Sequence, residues 1–136
     1  MLRIAIAEDE ADCAQRLEGF IRRYAGEHGL EVDVAWFPDG MELAERYAPV
    51  WDILFLDIQM AGLDGMETAR RVRRQDPDVT LVFITNLARY AIHGYEVDAS
   101  DFILKPLGYD RFRARMDKLT ARLARRQGAF VVLPLA

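Results

Sequence analysis

The chain has 136 residues, of which 51% are hydrophobic and 29% charged, a balance that supports one folded domain rather than a disordered chain. No uncharged run approaches the roughly 20 residues that a membrane helix needs, acidic residues come too early for a signal peptide, and the single cysteine excludes a disulfide framework or a cysteine zinc site. The net charge of −4 argues against direct nucleic-acid binding, so we expect a cytoplasmic protein without a membrane segment.

Short apolar runs alternate with helical periodicity along the chain. The apolar runs predict five strands, at residues 2–7, 32–37, 53–56, 81–84 and 102–104. The segments between and after them predict five helices, at residues 13–24, 41–47, 66–72, 87–95 and 112–123. Cys13 lies on the apolar stripe of the first helix, and we expect it in the core. This alternation predicts an α/β fold, a doubly wound parallel sheet of five strands with helices on both faces.

The last ten residues, 127–136, do not fit this alternation. Within them, residues 130–133 have the pattern of a strand with no assigned partner. An added edge strand, a docked tail and the first strand of a further domain are all compatible with this pattern. We favour the last interpretation, with residues 1–126 as the domain and 127–136 as a linker or the beginning of another.

Polar side chains stand at the ends of four of the five predicted strands. Glu8 and Asp9 follow the first, Asp57 the third, Thr85 ends the fourth and Lys105 follows the fifth. Because ligands of open parallel sheets bind beyond the carboxyl ends of the strands, we expect these groups to converge. Close carboxylates recruit a cation, and an all-oxygen site suits Mg²⁺. A cation, an ammonium and a hydroxyl around one aspartate indicate phosphoryl transfer to a carboxylate nucleophile.

Two other classes of phosphate chemistry fit less well. A phosphatase of the haloacid dehalogenase type needs a second acid two residues after its nucleophile, where this chain has Gln59. A nucleotide-binding module needs a glycine- or hydroxyl-rich loop after the first strand, where this chain has the acidic residues 8–12. Taken singly, each polar residue is ordinarily a helix cap or a surface group. Their occurrence at successive strand ends is what favours a functional site.

With these residues at its strand ends, the sequence resembles the receiver domain of two-component response regulators. The resemblance covers about residues 1–125 and rests on Glu8-Asp9, residues 57–65, Thr85 and Lys105-Pro106, in this order and spacing. Residues 90–102 look like those of receivers that precede a LytTR DNA-binding domain. The resemblance implies a flavodoxin-like receiver fold with the strand order 2-1-3-4-5.

The resemblance also implies the roles of the acidic residues. Asp57 would accept a phosphoryl group from the phosphohistidine of a sensor histidine kinase. Mg²⁺ would be held by Asp57, the acidic pair and the backbone carbonyl of Gln59. Of the pair, Asp9 would be the direct ligand and Glu8 would act through water.

The remaining site residues are also assigned by resemblance. Lys105 would contact the phosphoryl group, and the Lys105-Pro106 peptide bond would be cis. Thr85 and Phe102 would be the switch pair, with the hydroxyl moving toward the phosphate while the aromatic ring turns inward.

Two further positions, Gln59 and Leu87, border the path of the hydrolytic water in the family and would influence the lifetime of the phosphate. The chain departs from the family pattern at Ala61, where proline is usual, and at Phe102, which lacks the hydroxyl of the more usual tyrosine. The first departure should loosen the loop slightly without removing a ligand, and the second removes any polar role of that ring.

As a whole, the resemblance implies a signalling switch that catalyses only its own phosphorylation and dephosphorylation. The surface of the fourth helix, fifth strand and fifth helix would change and support a phosphorylation-dependent homodimer. Transcription would be controlled through a LytTR-type domain outside this chain, and DNA would be bound only there. The alternative is a stand-alone or phosphorylation-independent receiver that acts by protein contacts. Receivers of the phosphorylation-independent kind have usually lost Asp57, a member of the acidic pair or Lys105, all of which are present here.

Overall fold

The computed structural model describes residues 1–126, which contain a five-stranded parallel sheet. Its strands are β1 (Leu2–Ala7), β2 (Val32–Phe37), β3 (Ile53–Leu56), β4 (Thr80–Thr85) and β5 (Asp101–Leu104). They pair in the order β2-β1-β3-β4-β5, which confirms the predicted sheet and its strand order. The strand predicted at residues 130–133 lies outside the described residues.

Helical segments follow each strand. They are α1 (Ala11–His28), α2 (Gly40–Arg46), α3 (Gly65–Gln75), a 3₁₀ segment (Ala88–Val97) and α4 (Tyr109–Arg126). The helix predicted at residues 87–95 is therefore present as a 3₁₀ helix. Residues Met1–Pro106, with all five strands, form one compact unit, and α4 belongs to a second unit that starts at Leu107. Among residues 1–126, no helix has the length and apolar character to cross a bilayer.

Capping residues set several helix ends. Asp39 precedes α2, and its side chain accepts a hydrogen bond from the Glu42 N–H over 2.7 Å. Asp64 precedes α3 and accepts from the Glu67 N–H over 2.8 Å in the same way. These carboxylates satisfy N–H groups that a helix cannot pair internally. At the other end of α1, Gly29 takes a left-handed conformation (φ 64°) that stops the helix.

The central strands are buried on both faces, as the sequence predicts. Successive side chains of a strand point to opposite faces. On one face, a continuous apolar cluster joins strand residues to α2 and α3; its members include Ala5, Ala7, Leu43, Leu54, Leu56, Met66, Ala69, Val72, Leu81 and Phe83. The alternate strand residues are no more than 1% exposed; they include Ile4, Ile6, Ile53, Phe55 and Val82. Burial of this apolar surface is the main force that holds the sheet together.

The expectation for Cys13 was wrong. The fully buried residues of α1 are Ala14, Ile21, Tyr24 and Ala25, so the buried stripe is centred one position further along the helix. Cys13 lies at the margin of this stripe and is half-buried. Its thiol contacts the Glu10 carboxylate at 3.7 Å instead of the core.

Arg73 connects α3 to two other segments of the first unit. Its guanidinium donates to the carbonyl oxygens of Val97 at 2.6 Å, Val79 at 2.7 Å and Asp98 at 2.9 Å. Val79 directly precedes β4, whereas Val97 and Asp98 end the 3₁₀ segment. One side chain therefore fixes where the 3₁₀ segment ends relative to α3.

Candidate functional site

Three charged side chains meet at the carboxyl ends of the strands. Glu8 directly follows β1, Asp57 follows β3 and Lys105 follows β5. The Lys105 Nζ lies 2.8 Å from Asp57 Oδ2 and 2.8 Å from Glu8 Oε1. Glu8 and Asp57 are only 5% and 7% exposed, so water screens these ion pairs poorly. Two buried carboxylates therefore share a single ammonium group.

Burial and ion pairing shift the pKa values of Glu8 and Lys105 in opposite directions. Burial raises the pKa of Glu8 above its ordinary value, and the hydrogen bond from Lys105 offsets this only in part. For Lys105, burial by itself would lower the pKa, but the hydrogen bonds to Asp57 and Glu8 outweigh it and raise the pKa. Lys105 consequently stays charged, and it faces two carboxyl groups.

Backbone contacts fix the position of Asp57. Its N–H donates to the Ala7 carbonyl over 3.0 Å, and its Oδ1 accepts from the Gln59 N–H over 3.2 Å. A β-carbon at Gly65 would collide with the carbonyl oxygen of Asp57. Glycine is therefore required where α3 begins against the end of β3.

The two acidic residues after β1 are held in different ways. Glu8 faces Lys105, and its second carboxylate oxygen accepts from the Glu10 N–H over 3.2 Å. Asp9 is exposed, and its Oδ2 accepts from the Ala61 N–H over 3.0 Å. Asp9 therefore contacts the loop that follows Asp57, whereas Glu8 shares Lys105 with Asp57.

Sequence reasoning missed the contribution of Trp36. Its indole Nε1–H donates a hydrogen bond of 2.7 Å to the backbone carbonyl of Glu8. Trp36 lies in β2 and pairs with Ile6, two residues before Glu8. The available signal was an aromatic residue near the end of a strand, and only the strand order shows that this strand lies beside the acidic residues.

The residues proposed as a switch lie at the ends of β4 and β5. Thr85 is fully buried, and its hydroxyl accepts from the Leu87 N–H over 3.3 Å. Its carbonyl accepts from the Lys105 N–H over 2.9 Å, which connects β4 to the residue after β5. The Phe102 ring is half-buried, with its centroid 5.8 Å from that of Phe83. The Lys105-Pro106 peptide bond is cis.

The two positions expected to influence phosphate lifetime differ in their surroundings. Gln59 is exposed on the loop after Asp57. Leu87 is partly buried and packs against the apolar cluster that lies between the sheet and the helices α2 and α3. Of these two side chains, that of Gln59 is therefore the one exposed to solvent, on the loop that follows Asp57.

The donor set at the strand ends fits a hard divalent cation. Carboxylates of Glu8, Asp9 and Asp57 and the carbonyl of Gln59 would offer oxygen atoms alone, which Mg²⁺ prefers. A second group, Glu8, Glu10 and Cys13, has potential ligand atoms within 4.8 Å of one another, but its thiol suits softer metals. In chemistry the all-oxygen set is the better match to Mg²⁺, but among residues 1–126 it does not form as close a group as the second set.

The comparison with protein families decides the classification. The family described as the response regulator receiver domain matches residues 4–117, most of the chain. The chain belongs to this family. Receiver domains are signalling switches of two-component systems rather than enzymes in the usual sense.

Curated relatives of this receiver are longer regulatory proteins. It is 29% identical over 131 residues to the sensory transduction protein LytT of Oceanobacillus iheyensis, a match that covers 90% of the chain and 50% of that protein. It is 31% identical over 128 residues to the transcriptional regulatory protein YpdB of Escherichia coli K12, covering 93% and 50%. The chain therefore spans about half the length of these relatives.

Solved receiver structures share the fold over nearly their whole length. The response regulatory domain of protein mrkE from Klebsiella pneumoniae is 28% identical, with a TM-score of 0.80 and coverage of 91% of this chain and 99% of that one. The response regulator TrrA from Thermotoga maritima, in complex with Mg²⁺ and BeF, is 25% identical, with a TM-score of 0.72 and coverage of 88% and 99%. These similarities agree with the strand order of the receiver described above.

Proposed function

We propose that Asp57 accepts a phosphoryl group from the phosphohistidine of a sensor histidine kinase. The observation that carries this proposal is the position of the Lys105 ammonium, 2.8 Å from Asp57 in a largely buried site. A carboxylate oxygen of Asp57 would form the new P–O bond as the P–N bond of the phosphohistidine breaks. Lys105 can then neutralise charge on the transferred group, because its ammonium already lies against the acceptor.

The residues that would hold Mg²⁺ are Asp9, Asp57 and the backbone carbonyl of Gln59, with Glu8 acting through water. When bound, Mg²⁺ would supply positive charge that offsets the repulsion between the carboxylates and the incoming phosphoryl group. The TrrA structure, which is a complex with Mg²⁺ and BeF, supports the choice of Mg²⁺ by similarity. In this chain, the buried carboxylates that share one ammonium favour the binding of a further cation.

Phosphorylation would act on the rest of the chain through Thr85 and Lys105. A phosphoryl group at Asp57 would compete for the Lys105 ammonium and draw the Thr85 hydroxyl toward it. Phe102, which is half-buried against Phe83, would respond by turning inward. Gln59 and Leu87 would influence how quickly water removes the phosphate.

The 3₁₀ segment and β5 present apolar side chains that favour a protein partner. Ile92, Tyr95 and Leu104 are 70%, 77% and 39% exposed. We propose that this surface supports a phosphorylation-dependent homodimer, because exposed apolar patches commonly mark protein–protein interfaces.

The output we propose is transcription, through a LytTR-type DNA-binding domain beyond this chain. LytT and YpdB, each about twice the length of the match, support this. In this arrangement, residues 1–126 are the receiver and residues 127–136 are a linker or the first strand of the output domain.

The acceptor role can be tested by labelling with acetyl phosphate. The parent protein should take up an acid-labile phosphoryl group when Mg²⁺ is present and lose this ability in EDTA. Asp57→Asn should abolish labelling while leaving the circular dichroism spectrum unchanged.

A matched control is Asp33→Asn, the same chemical change at a half-exposed aspartate of β2. This variant should be labelled like the parent. Undiminished labelling of Asp57→Asn would refute the acceptor assignment, and labelling that is equal with and without Mg²⁺ would refute the metal site.

A further inference from the structure

The Trp36 side chain forms a hydrogen bond that is not part of the regular pairing between β1 and β2. Its indole N–H meets the carbonyl of Glu8 at 2.7 Å, a short hydrogen bond for an N–H donor. That carbonyl belongs to the peptide unit that joins Glu8 to Asp9. We propose that Trp36 is a positioning residue that fixes this peptide plane, so that Asp9 is oriented for a divalent cation.

The ladder between β1 and β2 explains why the peptide needs such a donor. The register pairs Ala7 with Phe37, and the Glu8 N–H donates to the Phe37 carbonyl over 3.1 Å. β2 ends at Phe37, and the chain turns through Pro38 into the cap of α2. The indole thus supplies a donor to the Glu8 carbonyl at the point where the regular strand pairing stops.

The Glu8–Asp9 peptide is planar, so a hydrogen bond that holds its carbonyl reduces the rotation of the whole unit. Its position restricts the ψ angle of Glu8 and the φ angle of Asp9, and through them the directions of both side chains. The Glu8 carboxylate lies against Lys105, while the Asp9 carboxylate reaches the Ala61 N–H. Fixing the peptide between them therefore orients two acidic groups with one hydrogen bond.

The exposure of Trp36 argues against a purely apolar role. Its side chain is on a sheet edge, and the residue is 41% exposed. Part of the ring therefore faces solvent rather than the core. The polar end of its ring instead makes the contact that links β2 to the acidic residues.

The test compares the Mg²⁺ affinity of variants that lose the indole N–H. In the full chain, Trp36→Phe should weaken Mg²⁺ binding about threefold to tenfold, the effect of one lost hydrogen bond that orients a ligand. Isothermal titration calorimetry gives the dissociation constant, and urea unfolding gives the stability of the same samples. Trp51→Phe is the matched control, since it removes the other tryptophan and should leave the affinity unchanged.

A second variant separates the N–H group from the shape of the ring. Benzothienylalanine keeps the fused ring but has sulfur in place of the N–H. Incorporated in the Trp51→Phe background, it replaces Trp36 alone and should weaken Mg²⁺ binding to the same extent. This variant also serves if Trp36→Phe does not fold.

The inference rests on the proposed metal site, and the experiment distinguishes the two. If the parent does not bind Mg²⁺, the proposed function and this inference both fail. If the parent binds Mg²⁺ and either Trp36 replacement lowers only the stability, the metal site stands and the positioning role is overturned.

Discussion

The backbone N–H of Ala61 donates a 3.0 Å hydrogen bond to Asp9 Oδ2, and so joins the loop after β3 to the loop after β1. Proline, the residue usual at this position in the resembled family, has no N–H to donate. The departure from the family pattern thus creates a contact that the family pattern could not make. It ties an acidic residue to the loop that also carries Gln59.

Ala61→Pro should weaken Mg²⁺ binding about threefold to tenfold, because Asp9 must then be ordered when the ion binds. The free energy of unfolding should change by less than about 1 kcal/mol, since proline in a loop also restricts the unfolded chain. Calorimetric titration and urea unfolding measure the two quantities. Ala61→Ser keeps the N–H and should match the parent, and an affinity of the proline variant equal to that of the serine variant would contradict the tether.

Among residues 1–126, Lys105 is the cation that contacts both buried carboxylates, and its removal should destabilise the fold. Lys105→Met leaves Glu8 and Asp57 in mutual repulsion, with side chains 7% and 8% exposed. Because some water still reaches them, we expect a loss of about 1–3 kcal/mol, less than for a fully buried pair. Urea unfolding in EDTA measures the loss. Lys118→Met removes an exposed lysine and should cost little, so equal losses in the two variants would show that the pairing contributes nothing.

The Thr85 hydroxyl can be removed without touching the ion pairs of Asp57. Thr85→Ala should retain labelling by acetyl phosphate, because Lys105 still contacts the acceptor. The labelling-dependent change in the NMR signals of the Phe102 ring should disappear, whereas Thr85→Ser, which keeps a hydroxyl, should retain it. A full Phe102 response in the alanine variant would exclude Thr85 as the link between phosphate and ring.

The fold could be predicted from the sequence because the apolar runs and the helical periodicities alternate consistently along the chain. Apolar runs such as residues 53–56 are buried on both faces, which only a covered parallel sheet explains. The type of helix was harder to predict, since residues 88–97 lack a strong apolar stripe and form a 3₁₀ helix. Cys13 was misplaced because a one-residue rotation of the stripe moves a side chain from the core to its margin.

Of the residues predicted to converge at the strand ends, the structure brings only some into contact. The rule that strand ends converge places Glu8, Asp57 and Lys105 together, and the structure has them in contact. The rule does not say which member of the acidic pair faces Lys105, because that depends on backbone direction after β1 has ended. The contribution of Trp36 depends on β2 lying beside β1, a tertiary fact with no local signature.

Tyr47 offers a test of stability against pH away from the proposed site. It is 8% exposed, and its hydroxyl donates to Asp76 Oδ2 over 2.6 Å. Burial, and then the hydrogen bond and charge of Asp76, raise the pKa of Tyr47 well above its ordinary value. Since ionisation is easier in the unfolded chain, the contribution of this hydroxyl is complete below about pH 10 and is lost as the pH rises further.

Tyr47→Phe should therefore cost about 1–2 kcal/mol at neutral pH, where Asp76 keeps its bonds from the N–H groups of Asp78 and Val79. Above about pH 10, the free energy of unfolding should fall less steeply in the variant, by up to about 1.4 kcal/mol per pH unit, the effect of one proton. Urea unfolding at a series of pH values measures both effects. Tyr95→Phe, at a position 77% exposed, should follow the parent at every pH. Parallel curves for the parent and Tyr47→Phe above pH 10 would mean that the Tyr47 hydroxyl ionises as readily in the folded chain as in the unfolded one.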